Sequence, residues 1–141
     1  QIVRHIDPVE YSPIIENLPN LRRVQVIHVE NDSALALIER YNEVADAFLL
    51  DSGKTMGANP QFGGTGKVHD WAISKQFVQS TDLPVYLAGG LSSENVFRAV
   101  TEVRPAGVDV CSGVRSNDTL DVEKLQAFVQ EVQRADDSIN Q

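Results

Sequence analysis

The sequence holds a single cysteine, Cys111, so no disulfide can form within the chain, and this usage fits a reducing, cytoplasmic setting. It lacks any apolar run of the ~18 residues that a membrane-crossing helix needs, and it lacks a signal-peptide pattern. A soluble protein is therefore expected. Basic residues are scarce: 12 Lys and Arg stand against 20 Asp and Glu, for a formal charge of −8. Nucleic acids and membrane surfaces demand a basic face, so the balance argues against both as partners. It leaves room for a small anionic ligand, which needs only a local group of backbone N–H donors. His5, His28 and His69 show no metal-ligand spacing and read as structural or surface residues, so no metal is expected. A nucleotide P-loop is also missing, because Gly63-Gly-Thr-Gly-Lys67 is followed by Val68 rather than Ser or Thr.

What is present is an alternation of apolar strands and amphipathic helices. Strands are predicted over residues 1–6, 23–29, 47–51, 84–88 and 107–110. Helices are predicted from Pro8 to Asn17, from the capping run Glu30–Ser33 to about Tyr41, and from Asp70 to Gln79. Ser92 is expected to cap a further helix reaching about Val103, with Val96, Ala99, Val100 and Val103 on its apolar face. Asp121 is expected to cap a last helix with Val122, Leu125, Phe128, Val129 and Val132 inward, and the polar tail from Arg134 is expected to fray. Five strand–helix units of this kind build part of a (β/α)8 TIM barrel or an open doubly wound α/β sheet; the barrel is preferred. A whole barrel takes about 200–250 residues. The 141 residues would then form one partial TIM-barrel domain covering roughly the last five βα units. The chain also opens without Met, in what reads as mid-strand, so an upstream portion is expected to be missing from it.

The chemistry-bearing residues cluster after strands. Gly89 and Gly90 sit between a strand and a helix, where a backbone can approach an anion, although such a pair is also an ordinary tight turn. Ser112 and Gly113 repeat the pattern one unit later, and adjacent late strands of a barrel commonly share a phosphate site. The long Gly-rich segment after Ser52, with Gly64, Thr65, Gly66 and Lys67, reads either as a lid over substrate or as a surface linker. Asp70 directly after it is either a helix N-cap or a general acid. Asp109, between Val108 and Val110, is costly in an apolar strand unless it faces a polar site, and alternation puts it on the opposite face from those two valines. Asp51 ends its strand similarly. Cys111 reads as a nucleophile or a small buried filler, and Arg115 as an aid to anion neutralisation or a solvated charge.

Four segments, FLLDS, GGTGKVHDW, PVYLAGGLSSENV and VRPAGVDVCSGVR, resemble the phosphoribosylanthranilate isomerase family in order and wording. The resemblance is dense from about Ala47 to Val129 and thinner from Gln1 to Asp46. It implies a (β/α)8 enzyme of tryptophan biosynthesis that carries out an Amadori rearrangement of N-(5-phosphoribosyl)anthranilate, without cofactor or metal. It implies Asp70 as general acid, Asp109 as the last-strand aspartate near the reacting groups, and Gly89, Gly90, Ser112 and Gly113 as phosphate-holding turns. Gly64 to Lys67 match the family's lid. The family's general base lies in an N-terminal Lys-x-Cys-Gly strand that this sequence does not contain, and Cys111 stands where the family has serine. Two other functions stay open: a non-catalytic relative that keeps the phosphate cradle, and an isomerase or lyase acting on another phosphosugar. A homo-oligomer or a missing N-terminal segment is what would complete the barrel.

Overall fold

The computed structural model describes residues 1–52 and 70–140. Four strands run in parallel in the order β1 (Val24–His28), β2 (Ala47–Asp51), β3 (Val85–Leu87) and β4 (Gly107–Val108). Parallel neighbours need crossover connections, and helices supply them. Between β1 and β2 lies α2 (Ala36–Tyr41), entered through a 3₁₀ turn at Asp32–Leu35 that Asn31 caps through the Ser33 amide. Before β3 comes α3 (Trp71–Gln79), and before β4 comes α4 (Val96–Val103). Ahead of β1, a 3₁₀ turn at Pro8–Tyr11 runs into α1 (Ser12–Asn17), with Pro8 in the first turn, where a missing N–H is harmless.

The sheet has two unlike faces. On the helix side Ile27, Phe48, Leu50, Val85 and Leu87 meet the buried stripes of α2, α3, α4 and α5 (Val122–Ile139) in one continuous core. Phe48 and Phe77 pack edge to face at 5.2 Å, tying β2 to α3. The predicted stripe of α4 is the buried one: Val96, Ala99, Val100 and Val103 are each 5 % exposed or less. Each of those valines contributes about 1.5–3 kcal/mol by burial. Among the described residues, the buried cluster on the opposite face is Val26, Leu49 and Ala88, with Val24 against them. Tyr86 on that face remains 38 % exposed.

Several expectations need correction. Residues 1–6 do not join the ladder as a fifth strand; they make one parallel bridge, Ile2 to Gln25, and side chains hold the rest. The Gln25 amide donates to the carbonyls of Ile2 and Arg4, and the Tyr41 hydroxyl donates to the carbonyl of Ile6. The fully buried Gln25 also accepts from the Tyr11 hydroxyl, whose pKa burial pushes up to about 12. The Ser92 helix begins at Val96, one turn later than expected. In α5 Phe128 and Ala135 are buried, whereas Val122 and Val129 are exposed. The tail does not fray at Arg134: α5 continues to Ile139 because Ala135 and Ile139 extend its apolar stripe onto the core. A two-stranded antiparallel hairpin, β5 (Arg115–Ser116) with β6 (Thr119–Leu120), was not foreseen.

One ion pair locks the start of β1 to the start of β2. Asp46 accepts from the Arg23 backbone N–H at 2.7 Å, from its Nε at 2.8 Å and from its Nη2 at 3.0 Å. Those side-chain bonds hold the Asp46 carboxyl down at about 2, below its usual range. Because the folded-state pKa is depressed, the stabilisation is present above about pH 4 and is lost as pH falls toward 2. In urea titrations across that window, the protein is expected to lose ~1–2 kcal/mol more than Asp46→Asn loses. Equal slopes for the two would show that the pair contributes nothing.

Candidate functional site

The parallel register decides which residues share the exposed face. His28 pairs with Asp51, Leu49 with Tyr86, and Leu87 with Val108, so Asp109 falls beside Ala88. Its amide donates to the Leu87 carbonyl at 2.9 Å, extending the ladder one residue beyond β4. Asp51 and Asp109 thus end up on the face of Val26, Leu49 and Ala88, at the carboxyl ends of their strands. All five line one cavity of about 240 Å³, together with Gly89, Gly90 and Ser112. Val108 packs toward the helix-side core, as alternation requires, while Val110, two residues past the end of β4, touches that core and also lines the cavity.

Two turns form the rim. Gly89 and Gly90 have φ of 87° and 68°, a conformation that side chains disfavour. A Cβ on Gly89 would stand 2.6 Å from the Ser52 amide nitrogen, so this turn presses directly on the end of β2. Asn95 completes it: its amide donates to the Gly90 carbonyl at 2.9 Å, and its side-chain oxygen accepts from the Ser92 N–H at 2.9 Å. That pair of hydrogen bonds to the backbone explains why Asn95 does not cap α4 with its side chain. The Ser112–Val114 3₁₀ turn abuts the first rim so closely that a Cβ on Gly113 would lie 1.9 Å from the Leu91 carbonyl oxygen. Asn95 was missed in the sequence; the visible signal was an amide three residues after Ser92, at the spacing of a reciprocal cap. His28, read in the sequence as a structural or surface residue, is buried with its Nε2 3.0 Å from the Val3 carbonyl oxygen, and it does not line the cavity.

Other expected site residues lie elsewhere. Asp70 caps α3, its Oδ1 accepting from the Ala72 N–H at 2.9 Å; it is exposed and is not among the residues lining the cavity. Gly64, Thr65, Gly66 and Lys67 lie outside the described residues. Cys111 is exposed on the cavity rim rather than a buried filler, because β4 ends three residues earlier and the chain there is already in a turn. His5 has its pKa lowered by burial first and then by His28 and Arg40, which favours its neutral form. Among the described residues no group of three or more His, Cys, Asp or Glu could hold a metal ion, and no helix is long and apolar enough to cross a membrane. A roomier cleft of about 480 Å³ lies at the C-terminal ends of α3 and α4, by Lys75, Glu102 and Arg104, at the other end of the sheet and without a glycine turn.

A parallel sheet under helices, with a cavity outside the carboxyl ends of its strands, defines a TIM-barrel-like α/β protein. The solved N-(5'-phosphoribosyl)anthranilate isomerase of Pyrococcus furiosus matches it with a TM-score of 0.67 and 27 % identity, over 90 % of this chain and 57 % of that one. The isomerase of Methanocella arvoryzae is 40 % identical over 116 residues, which are 82 % of this chain and 52 % of that protein. The isomerase of Haloarcula marismortui is 39 % identical over 145 aligned residues, 96 % of this chain and 66 % of that protein. The family model for N-(5'-phosphoribosyl)anthranilate isomerase matches residues 5–131, and the chain belongs to that family. It spans about half the length of several of the curated relatives it matches.

The rim geometry yields a direct test. Gly113→Ala drives a methyl group into a backbone carbonyl that cannot swing away, and is expected to cost ~2 kcal/mol or more in urea unfolding. A change below ~0.5 kcal/mol would mean that the two turns do not abut as described.

Proposed function

We propose that this chain is the C-terminal portion of an N-(5'-phosphoribosyl)anthranilate isomerase, residues 1–141 forming one partial domain that supplies the last five βα units of a (β/α)8 barrel. The observation that carries this reading is the meeting of two glycine-containing turns and two strand-end carboxylates around one cavity. Backbone N–H groups of Gly89, Gly90, Ser112 and Gly113 would hold the phosphate of the substrate. The residues of a biosynthetic enzyme in the cytoplasm fit the single unpaired cysteine.

The reaction is a series of proton transfers and needs no redox partner. A general acid protonates the furanose ring oxygen as the C1–O bond breaks, and the anilino nitrogen lone pair closes a Schiff base at C1. A general base then removes the C2 proton, and the electron pair of that C–H bond gives an enolamine, which tautomerises to the C2 ketone. Asp70 is assigned the acid's role. One of its oxygens is engaged by the Ala72 amide, so the transferred proton sits on the other. Asp109, already facing the cavity, lies near the reacting carbons in this assignment.

A binding-only reading is favoured by one observation, that Asp70 stands outside the cavity it would have to serve. Turnover of N-(5'-phosphoribosyl)anthranilate by the complete barrel protein that contains this chain, and by its Asp70→Asn variant, separates the two. The isomerase reading expects kcat to fall at least ~100-fold in the variant with KM little changed. Normal turnover in Asp70→Asn would remove that residue from the chemistry. A wild-type protein that binds the substrate and never converts it would leave the binding-only reading standing.

A further inference from the structure

The walls of the cavity carry the wrong charge for a phosphorylated ligand. Asp51 and Asp109 both line it, and a phosphate dianion entering beside two carboxylates is repelled by each. Backbone N–H groups offset part of this through their dipoles but bring no net charge. A cation is therefore needed, and among the described residues one is in place.

Arg115 lies just beyond the Ser112–Val114 turn. It lines a cleft of about 390 Å³ with Cys111, Ser112, Asn117 and Asp118. Cys111 and Ser112 also line the main cavity, so the two spaces meet at the second rim turn. Among the described residues lining either space, Arg115 is the only Lys or Arg. Its guanidinium makes one bond, Nη1 to the Asp118 carbonyl at 3.1 Å, and no carboxylate among the described residues pairs with it.

The surrounding backbone is held as a support. Asn117 and Asp118 adopt φ of 50° and 60°, closing a two-residue hairpin of the kind that Asn and Asp tolerate best after glycine. The Arg115 carbonyl accepts from Lys124 Nζ at 3.0 Å, the Ser116 hydroxyl donates to Asp121 at 2.6 Å, and the Asp121 amide donates to the Val114 carbonyl at 2.9 Å. The start of α5 therefore fixes the backbone on both sides of Arg115, and the free guanidinium edges are carried on a rigid base rather than a loose loop.

We propose that Arg115 is a further anion-recognition residue of this site, its guanidinium taking the outward oxygens of the phosphoryl group and giving the site its preference for the dianion over the monoanion. The proposal rests on the phosphate reading given above. A planar guanidinium with unused donors suits two phosphate oxygens at once, and a lysine ammonium matches only the charge.

The test is a titration of the full chain with inorganic phosphate at pH 8 and at pH 5.5, followed by phosphorus NMR, for the wild type, Arg115→Met and Arg115→Lys. Arg115 is exposed, and circular dichroism of each variant checks the fold. The wild type is expected to bind saturably and more tightly at pH 8. Arg115→Met is expected to bind roughly 3- to 10-fold more weakly at pH 8 and to lose most of the pH preference, with Arg115→Lys in between. Equal affinities and an unchanged pH preference in Arg115→Met would overturn the role of Arg115 and leave the phosphate site intact. If Arg115→Met fails to fold, wild-type behaviour in Arg115→Lys overturns the geometric part of the proposal, the use of two donors. A wild type that binds no phosphate overturns both.

Discussion

The register between parallel strands is the constraint on which the rest depends. Because β1 to β4 stay in step, alternate residues sort cleanly between a face that helices cover and a face that they leave open. The Ala88 amide on the Leu50 carbonyl at 2.7 Å, and the Ala106 amide on the Val85 carbonyl at 2.8 Å, fix that step at the ends of short strands. A slip of one residue in β4 would send Asp109 into the helix-side core and turn Val108 toward the cavity. The Arg23–Asp46 pair acts on the same variable from the other end of the sheet, since it aligns the first residues of β1 and β2.

On that frame the cavity is built by backbone more than by side chains. The turn at Gly89 rests on the Ser52 amide, and the turn at Gly113 rests on the Leu91 carbonyl, so neither position has space for a Cβ. Asn95 secures the first turn from within α4's approach, and the start of α5 secures the segment that follows the second. Stability and recognition thus draw on the same contacts: loosening a rim turn would both cost folding energy and scatter the amides that the proposed phosphate requires. Net acidity is compatible with the proposed anion site, because attraction to an anion needs only a local arrangement of donors and one nearby cation, whatever the sign of the whole chain.

What was legible in the sequence follows the strength of each local signal. The β2 run Ala47–Asp51 and the α4 stripe could be read directly, because a continuous apolar run and a clean helical period each have one low-energy placement. Asp121 was legible as a cap because its side chain meets the Lys124 amide one turn on. The β5–β6 hairpin was not, since its strands are two residues each, with Leu120 their one apolar residue, and only the Asn-Asp pair marks the turn. The end of α5 was hidden by its charged residues, although Ala135 and Ile139 continue the spacing of Phe128 and Val132. At the site, the glycine turns and Asp109 could be picked out from position alone. The exposure of Cys111 could not, because it depends on where β4 stops, and a strand only two residues long leaves almost no signal of its end.

The central claim is that a phosphorylated sugar binds outside the carboxyl ends of β2 to β4. The most direct measurement is an amide shift titration of the chain with ribose 5-phosphate. The account predicts that the Gly89, Gly90, Ser112 and Gly113 amides move together along one saturable isotherm, while Lys75 and Thr101 in the roomier cleft by α3 and α4 stay still. Saturable shifts centred on Lys75 and Thr101, with the glycine turns unmoved, would contradict it.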